Sequence, residues 1–123
     1  MKRGNMRKAF TTALSIIACM GVSGPAAAAW TASAVPTGID IVRGEGFMIF
    51  GAFGNNTSCS LPDMVFVQAD APGYKEMLSA VFLAQSQNRP IMLWVHSCVP
   101  RTWYAVSSTT FNTVSVNAVI KLQ

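Results

Sequence analysis

The chain has 123 residues and a formal net charge of +4, a length that suits one domain rather than two. Four of its cations, Lys2, Arg3, Arg7 and Lys8, fall within the first eight positions, and the remaining five, Arg43, Lys75, Arg89, Arg101 and Lys121, are balanced by Asp40, Glu45, Asp63, Asp70 and Glu76. Beyond its N-terminus the chain is therefore neutral, without the clustered Lys/Arg footprint that holds a phosphate backbone, which argues against a nucleic-acid partner.

In chain order the first element is a leader. A basic stretch is followed by an apolar stretch from Ala9 to Val22 and by the small-residue run Pro25-Ala-Ala-Ala-Ala29, the layout of a secretory signal. Small side chains one and three residues before the cut place cleavage after Ala29, leaving 30–123 as a single domain. The apolar stretch, broken by Thr11, Thr12, Ser15 and Gly21, is shorter than the ~20 residues of a membrane-spanning helix, and no later stretch is longer. No membrane span is expected. Ile16-Ile17-Ala18-Cys19 also fits the pattern after which bacteria lipidate a cysteine, but the alanine run directly before Trp30 favours ordinary cleavage and an exported protein, secreted or periplasmic.

Two strands follow, Ile39 to Val42 and Phe47 to Phe53, joined by the hairpin turn Arg43-Gly44-Glu45-Gly46. Asn55-Asn56-Thr57-Ser58 is a polar turn, and Met64 to Gln68 a short third strand. Apolar or amphipathic residues at Tyr74, Met77, Leu78, Val81, Phe82 and Gln85 predict a helix over 71–87 with one buried stripe. Asp70 suits its N-cap, Pro72 its first turn, and Asn88 and Pro90 its end. Ile91 to Ser97 is a strand apolar on both faces, Ile91, Leu93 and Val95 on one and Met92, Trp94 and His96 on the other, hence one covered on both sides, the second cover by a neighbouring subunit. The β-branched tail from Tyr104 to Leu122 supplies one or two closing strands, with bends at Asn112 and Asn117. The sum is mainly β with one central helix, a small five-stranded Greek-key barrel.

With Cys19 removed, Cys59 and Cys98 are the two cysteines left, and in an oxidising compartment they pair. Closing a loop of that span is worth roughly 3 to 4 kcal/mol in the chain-entropy model. One His and two Cys fall short of a zinc site. His96, the only histidine, could form a dyad with Cys98 only if that thiol stayed reduced. The carboxylates have plainer roles: Asp70 as a helix cap, Glu45 in a turn, Glu76 on a solvated helix face, with Asp40 turned to solvent or ligand. No catalytic residue, metal or cofactor is expected. A sugar site needs planar apolar faces with fixed hydrogen-bonding groups; Trp94 and Tyr74 fit packing positions, whereas Trp103 and Tyr104, after the loop-like Pro100-Arg101-Thr102, are placed for contact with a ligand.

Trp30-Thr31, Thr37-Gly38-Ile39, Ser58-Cys59-Ser60, the run from Tyr74 through Arg89-Pro90-Ile91-Met92-Leu93-Trp94-Val95, Trp103-Tyr104 and Asn117-Ala118-Val119 occur in an order that resembles the B subunits of the subtilase-cytotoxin and typhoid-toxin type. The resemblance implies an oligosaccharide-binding (OB) fold, assembly to a pentamer, recognition of cell-surface glycans including sialic acid, and delivery of an enzymatic A subunit. It places a sugar contact at Thr37, where the toxins have a serine, and another at Trp103 or Tyr104; Arg101 is a candidate partner for a sugar carboxylate. The toxin subunits pair a second-strand cysteine with the one before the third strand. Here the second strand has Phe50, and Cys98 serves instead. The alternative reading is a stand-alone envelope protein of the same fold with a structural or protein-interaction role.

Overall fold

The computed structural model describes residues 28–123. Cys19 and nearly all of the expected leader lie outside those residues; Ala29 and Trp30, on either side of the expected cut, form strand β1 (Ala29–Trp30).

The hairpin forms where the glycines predict it. β2 (Gly38–Val42) and β3 (Gly46–Phe50) pair antiparallel down to Val42 opposite Gly46, leaving Arg43-Gly44-Glu45 as the loop. Gly46 is there for steric reasons: at φ 148° its backbone passes so close to β4 (Met64–Gln68) that a Cβ would lie 1.9 Å from the Val67 carbonyl oxygen. β4 pairs antiparallel with β3, and alternation splits the two strands between two apolar clusters. Phe47, Ile49, Val65 and Val67 join the main core, while Met48 and Phe66 pack on the other side with Phe111.

Helix α1 (Tyr74–Ser86) starts three residues later than expected. Its N-cap is Gly73, left-handed at φ 83° and without a side-chain cap, so Asp70 does not cap it. The residues before it are taken up by tight turns, Ala71 N–H to Gln68 O and Tyr74 N–H to Ala71 O, and Ala118 donates its N–H to Pro72 O at 2.8 Å. The C-terminus closes as expected: Asn88 is left-handed at φ 53°, Arg89 N–H bonds Ala84 O and Asn88 N–H bonds Gln85 O, the double bond of a Schellman cap. Met77, Val81 and Ala84 are the buried face, flanked by Tyr74 and Leu78. Phe82, expected in that stripe, is 45% exposed, because it follows Val81 a full 100° round the helix.

After the helix one extended run is divided at His96 into β5 (Ile91–Val95) and β6 (Ser97–Pro100). β5 pairs with β1 and with β8 (Ile120–Leu122), whereas β6 pairs with β7 (Thr110–Val114). The described residues thus form a mainly β structure with one helix and two sheets, ordered β1-β5-β8 and β2-β3-β4-β7-β6, with the β4–β7 pair parallel. Among the described residues the ladders form two sheets without a closed ring of strands; the run 91–100 passes from one sheet to the other at His96, and β1 and β2 likewise belong to different sheets. Only one face of β5 is fully covered. Ile91, Leu93 and Val95 have no exposure, while Met92, Trp94 and His96 are half-buried, and Trp94 meets its cross-strand partner Trp30 edge to face at 5.3 Å.

Asn112, expected at a bend, is a buried residue of β7, because its side chain is held from both sides: it accepts from Thr57 Oγ1 and donates to Asn55 Oδ1. Beside it Cys59 and Cys98 form the expected disulfide, with Cα atoms 5.3 Å apart, joining the loop before β4 to strand β6.

Candidate ligand-binding face of the five-stranded sheet

Residues 101–109 make no ladder pairing; they form a strap between β6 and β7 with two internal turns, Tyr104 N–H to Arg101 O and Thr109 N–H to Val106 O. The strap is held down by side chains. Trp103 lies nearly parallel to Phe111 at 6.2 Å between ring centroids and tilted against Phe66 at 5.7 Å, and Tyr104 meets Phe111 edge to face at 5.0 Å. Such ring pairs contribute about 0.5–1.5 kcal/mol each beyond the area they bury. They leave Trp103 37% exposed.

Two cavities flank the strap. The smaller, about 80 Å³, is bounded by Trp103 and Tyr104 and floored by Val42, Met48, Phe50 and Met64, with Asp40 as its charged residue. The larger, about 270 Å³, is formed by the hairpin loop (Gly44, Glu45), the end of β4 with its turn (Gln68, Ala69, Asp70) and Arg101. Ala69 N–H donates to Glu45 O at 2.9 Å, which fixes the two loops side by side.

Arg101 is the unusual group. Its side chain is 8% exposed, its Cζ sits 4.1 Å from the centre of the Phe66 ring, and Nε and Nη2 are buried without a hydrogen-bond partner. Burial pushes the guanidinium pKa down, and the Glu45 and Asp70 carboxylates push it back up; the group stays cationic at neutral pH. A buried donor left unpaired costs about 1–3 kcal/mol, which the attraction of a cation to the Phe66 ring face offsets in part.

Of the residues singled out from the sequence, Arg101, Trp103 and Tyr104 come together on this face. Thr37 does not join them: it is exposed just before β2, its N–H bonds Phe50 O at 2.8 Å, and it lines neither cavity. Glu45, Gln68 and Asp70 were not legible as site residues, since their meeting depends on how the hairpin loop lies against the end of β4. Asp40, turned to solvent or ligand by strand alternation, does line a cavity.

His96 lies at the β5–β6 junction, where its Nδ1 accepts from Ser115 N–H at 3.3 Å and burial pushes its pKa below 6.5. It has no thiol to activate, because the Cys98 sulfur is bonded to Cys59. Among the described residues no group of three or more His, Cys, Asp or Glu is placed to hold a metal, and no helix is long and apolar enough to cross a membrane. Comparison with known proteins finds no matching family model, curated protein or solved structure.

Proposed function

We propose that this is an exported glycan-binding module of the toxin B-subunit type, a small OB-like barrel that self-associates, displays a sugar site and serves an enzymatic A subunit. The observation that carries the reading is the pair of aromatic rings, Trp103 and Tyr104, bounding a cavity whose lining adds the carboxylate of Asp40. A planar apolar face beside a fixed acceptor is what a sugar ring needs, apolar C–H surface on one side and hydroxyls on its rim. The barrel part is supported by the strand order β2-β3-β4-β7-β6 with its parallel β4–β7 pair, and by the run 91–100, whose two strands serve both sheets. Self-association is supported by the half-exposed outer face of β5, where Met92 and Trp94 stand beside Trp30.

The packing of Trp103 against Phe111 and Phe66 favours the second reading, an envelope protein in which these rings serve packing alone. A glycan array on protein expressed from the full chain, with light scattering on the same sample, separates the two. A ring-shaped oligomer whose sugar binding falls about tenfold or more in Trp103→Ala establishes the first; a monomer that binds no glycan establishes the second.

A further inference from the structure

The smaller cavity joins aromatic and aliphatic walls to a single charge. Val42, Met48, Phe50 and Met64 make its floor apolar, and Asp40 is the one charged residue in a lining that holds no cation. Trp103 and Tyr104 stand nearly at right angles, 81° between ring planes with centroids 6.1 Å apart, so two sides of the cavity are rings that meet in a corner. Trp103 is held against Phe111 and Phe66 yet stays 37% exposed, which leaves ring surface for a ligand at no cost in ordering the side chain. At about 80 Å³ the space is far smaller than the roughly 300–1,000 Å³ of pockets for drug-sized ligands. It admits a substituent and not a whole sugar ring.

Resting on the reading of these rings as a glycan site, we propose that the cavity takes a cationic ammonium group carried by the sugar, as a free amine or a trimethylammonium substituent, while the sugar ring lies over the exposed part of Trp103. A hydroxylated neutral group entering this space finds only the Asp40 carboxylate and the Tyr104 hydroxyl as side-chain acceptors, and each buried hydroxyl left unpaired weakens binding. An ammonium group fits the lining on every side. The electron-rich faces of Trp and Tyr rings attract a cation, its methyl or methylene surface packs against apolar and thioether side chains, and Asp40 supplies the opposite charge. A carboxylate-bearing sugar meets the reverse, an acidic neighbour and no cation in the lining.

The test is titration calorimetry on protein expressed from the full chain, with two sets of probes. The first is choline against the uncharged alcohol in which carbon replaces its nitrogen; the second is a chito-oligosaccharide whose terminal amine is free, trimethylated or acetylated. Choline binds about tenfold more tightly than its carbon isostere, and the free or trimethylated sugar about tenfold more tightly than the acetylated one at low salt; the tighter of the two charged sugars identifies the substituent. Trp103→Leu, which keeps apolar bulk but removes the ring, brings both preferences close to unity. Asp40→Asn, at an exposed position where the fold is retained, reduces them severalfold; circular dichroism checks both variants. Equal binding of choline and its isostere overturns the proposal, because the cavity is then merely apolar. A preference for charge that survives both substitutions overturns it too, since the ammonium group then sits elsewhere. Charged and acetylated sugars that bind alike, and are all lost in Trp103→Leu, overturn it while leaving the glycan reading intact. Choline binding with no sugar bound overturns the glycan reading and leaves the ammonium site standing, and failure of every probe overturns both.

Discussion

On one face of the five-stranded sheet Phe47, Ile49, Val65, Val67 and Val114 are covered by Met77, Val81 and Ala84 of α1 and by Ile91, Leu93 and Val95 of β5; on the other, Met48, Phe66 and Phe111 are covered by the strap and its rings. The first cover is made of regular elements whose backbone bonds are satisfied within a helix or a ladder. The second has two turn hydrogen bonds of its own and is otherwise attached by Arg101, Trp103 and Tyr104. The same sheet thus has one face covered by a helix and ladder strands and one whose cover takes part in no strand pair, and segments of the second kind belong to the low-stability end of a protein. The two cavities border that second cover.

Truncation on each face exposes the difference most strongly. Phe47→Ala empties a site with no exposure beneath Tyr74 and is expected to lower global stability by about 3–5 kcal/mol. Trp103→Ala is expected to cost much less globally and to speed amide exchange within 101–109. Equal losses of melting temperature in the two variants would mean that the strap is as integral as the helix.

The disulfide tests how firmly the strap is rooted, because Cys98 lies in β6, from which the strap departs. Cys98→Ser is expected to lower stability by roughly 3 to 4 kcal/mol, measured by denaturant or thermal unfolding. An unchanged midpoint would show that the Asn55–Thr57–Asn112 hydrogen bonds hold the loop to β7 without it.

The smallest expected effect concerns the joint between the sheets. His96 has a native pKa below 6.5 through burial, so as pH falls from about 6.5 the unfolded chain takes up a proton before the native one does. Stability from this group is complete above that pH and is lost as pH falls toward the lowered native pKa, where a protonated Nδ1 can no longer accept from Ser115 N–H. His96→Asn is expected to flatten the stability profile across that window; an unaltered slope would place the titration elsewhere.

What was legible in the sequence follows the same division. The hairpin, the third strand, the helix and the strand after it were marked by local signals, paired glycines, period-2 and period-3.6 apolar spacing, and Asn88 with Pro90. Those signals also limited the reading. Asp70 has the chemistry of an N-cap, but the turns at Ala71 and Tyr74 and the approach of Ala118 hand that place to Gly73. Asn112 has the composition of a bend, but a buried amide partner keeps it in a strand. The candidate face was read in part: the loop position of Trp103 and Tyr104 pointed to it, whereas Glu45 meeting Asp70 beside Arg101 is tertiary, set by the crossing of Gly46 against Val67. Thr37 was proposed by resemblance alone, and it stands apart from the cluster.

The parallel pairing at the centre of the five-stranded sheet also bears on the route by which the chain reaches this structure. Val65 and Asn112 are partners 47 positions apart along the chain, the kind of distant contact that slows folding because the closure entropy comes before the reward. Cys59 lies six positions from Val65, and Cys98 fourteen from Asn112. Once the sulfurs have joined, the excursion between the two strands is less than half as long, which trims the closure entropy by about 0.8 kcal/mol. Where oxidation comes before strand pairing, it brings the two strands within short reach of each other while neither has yet found its register.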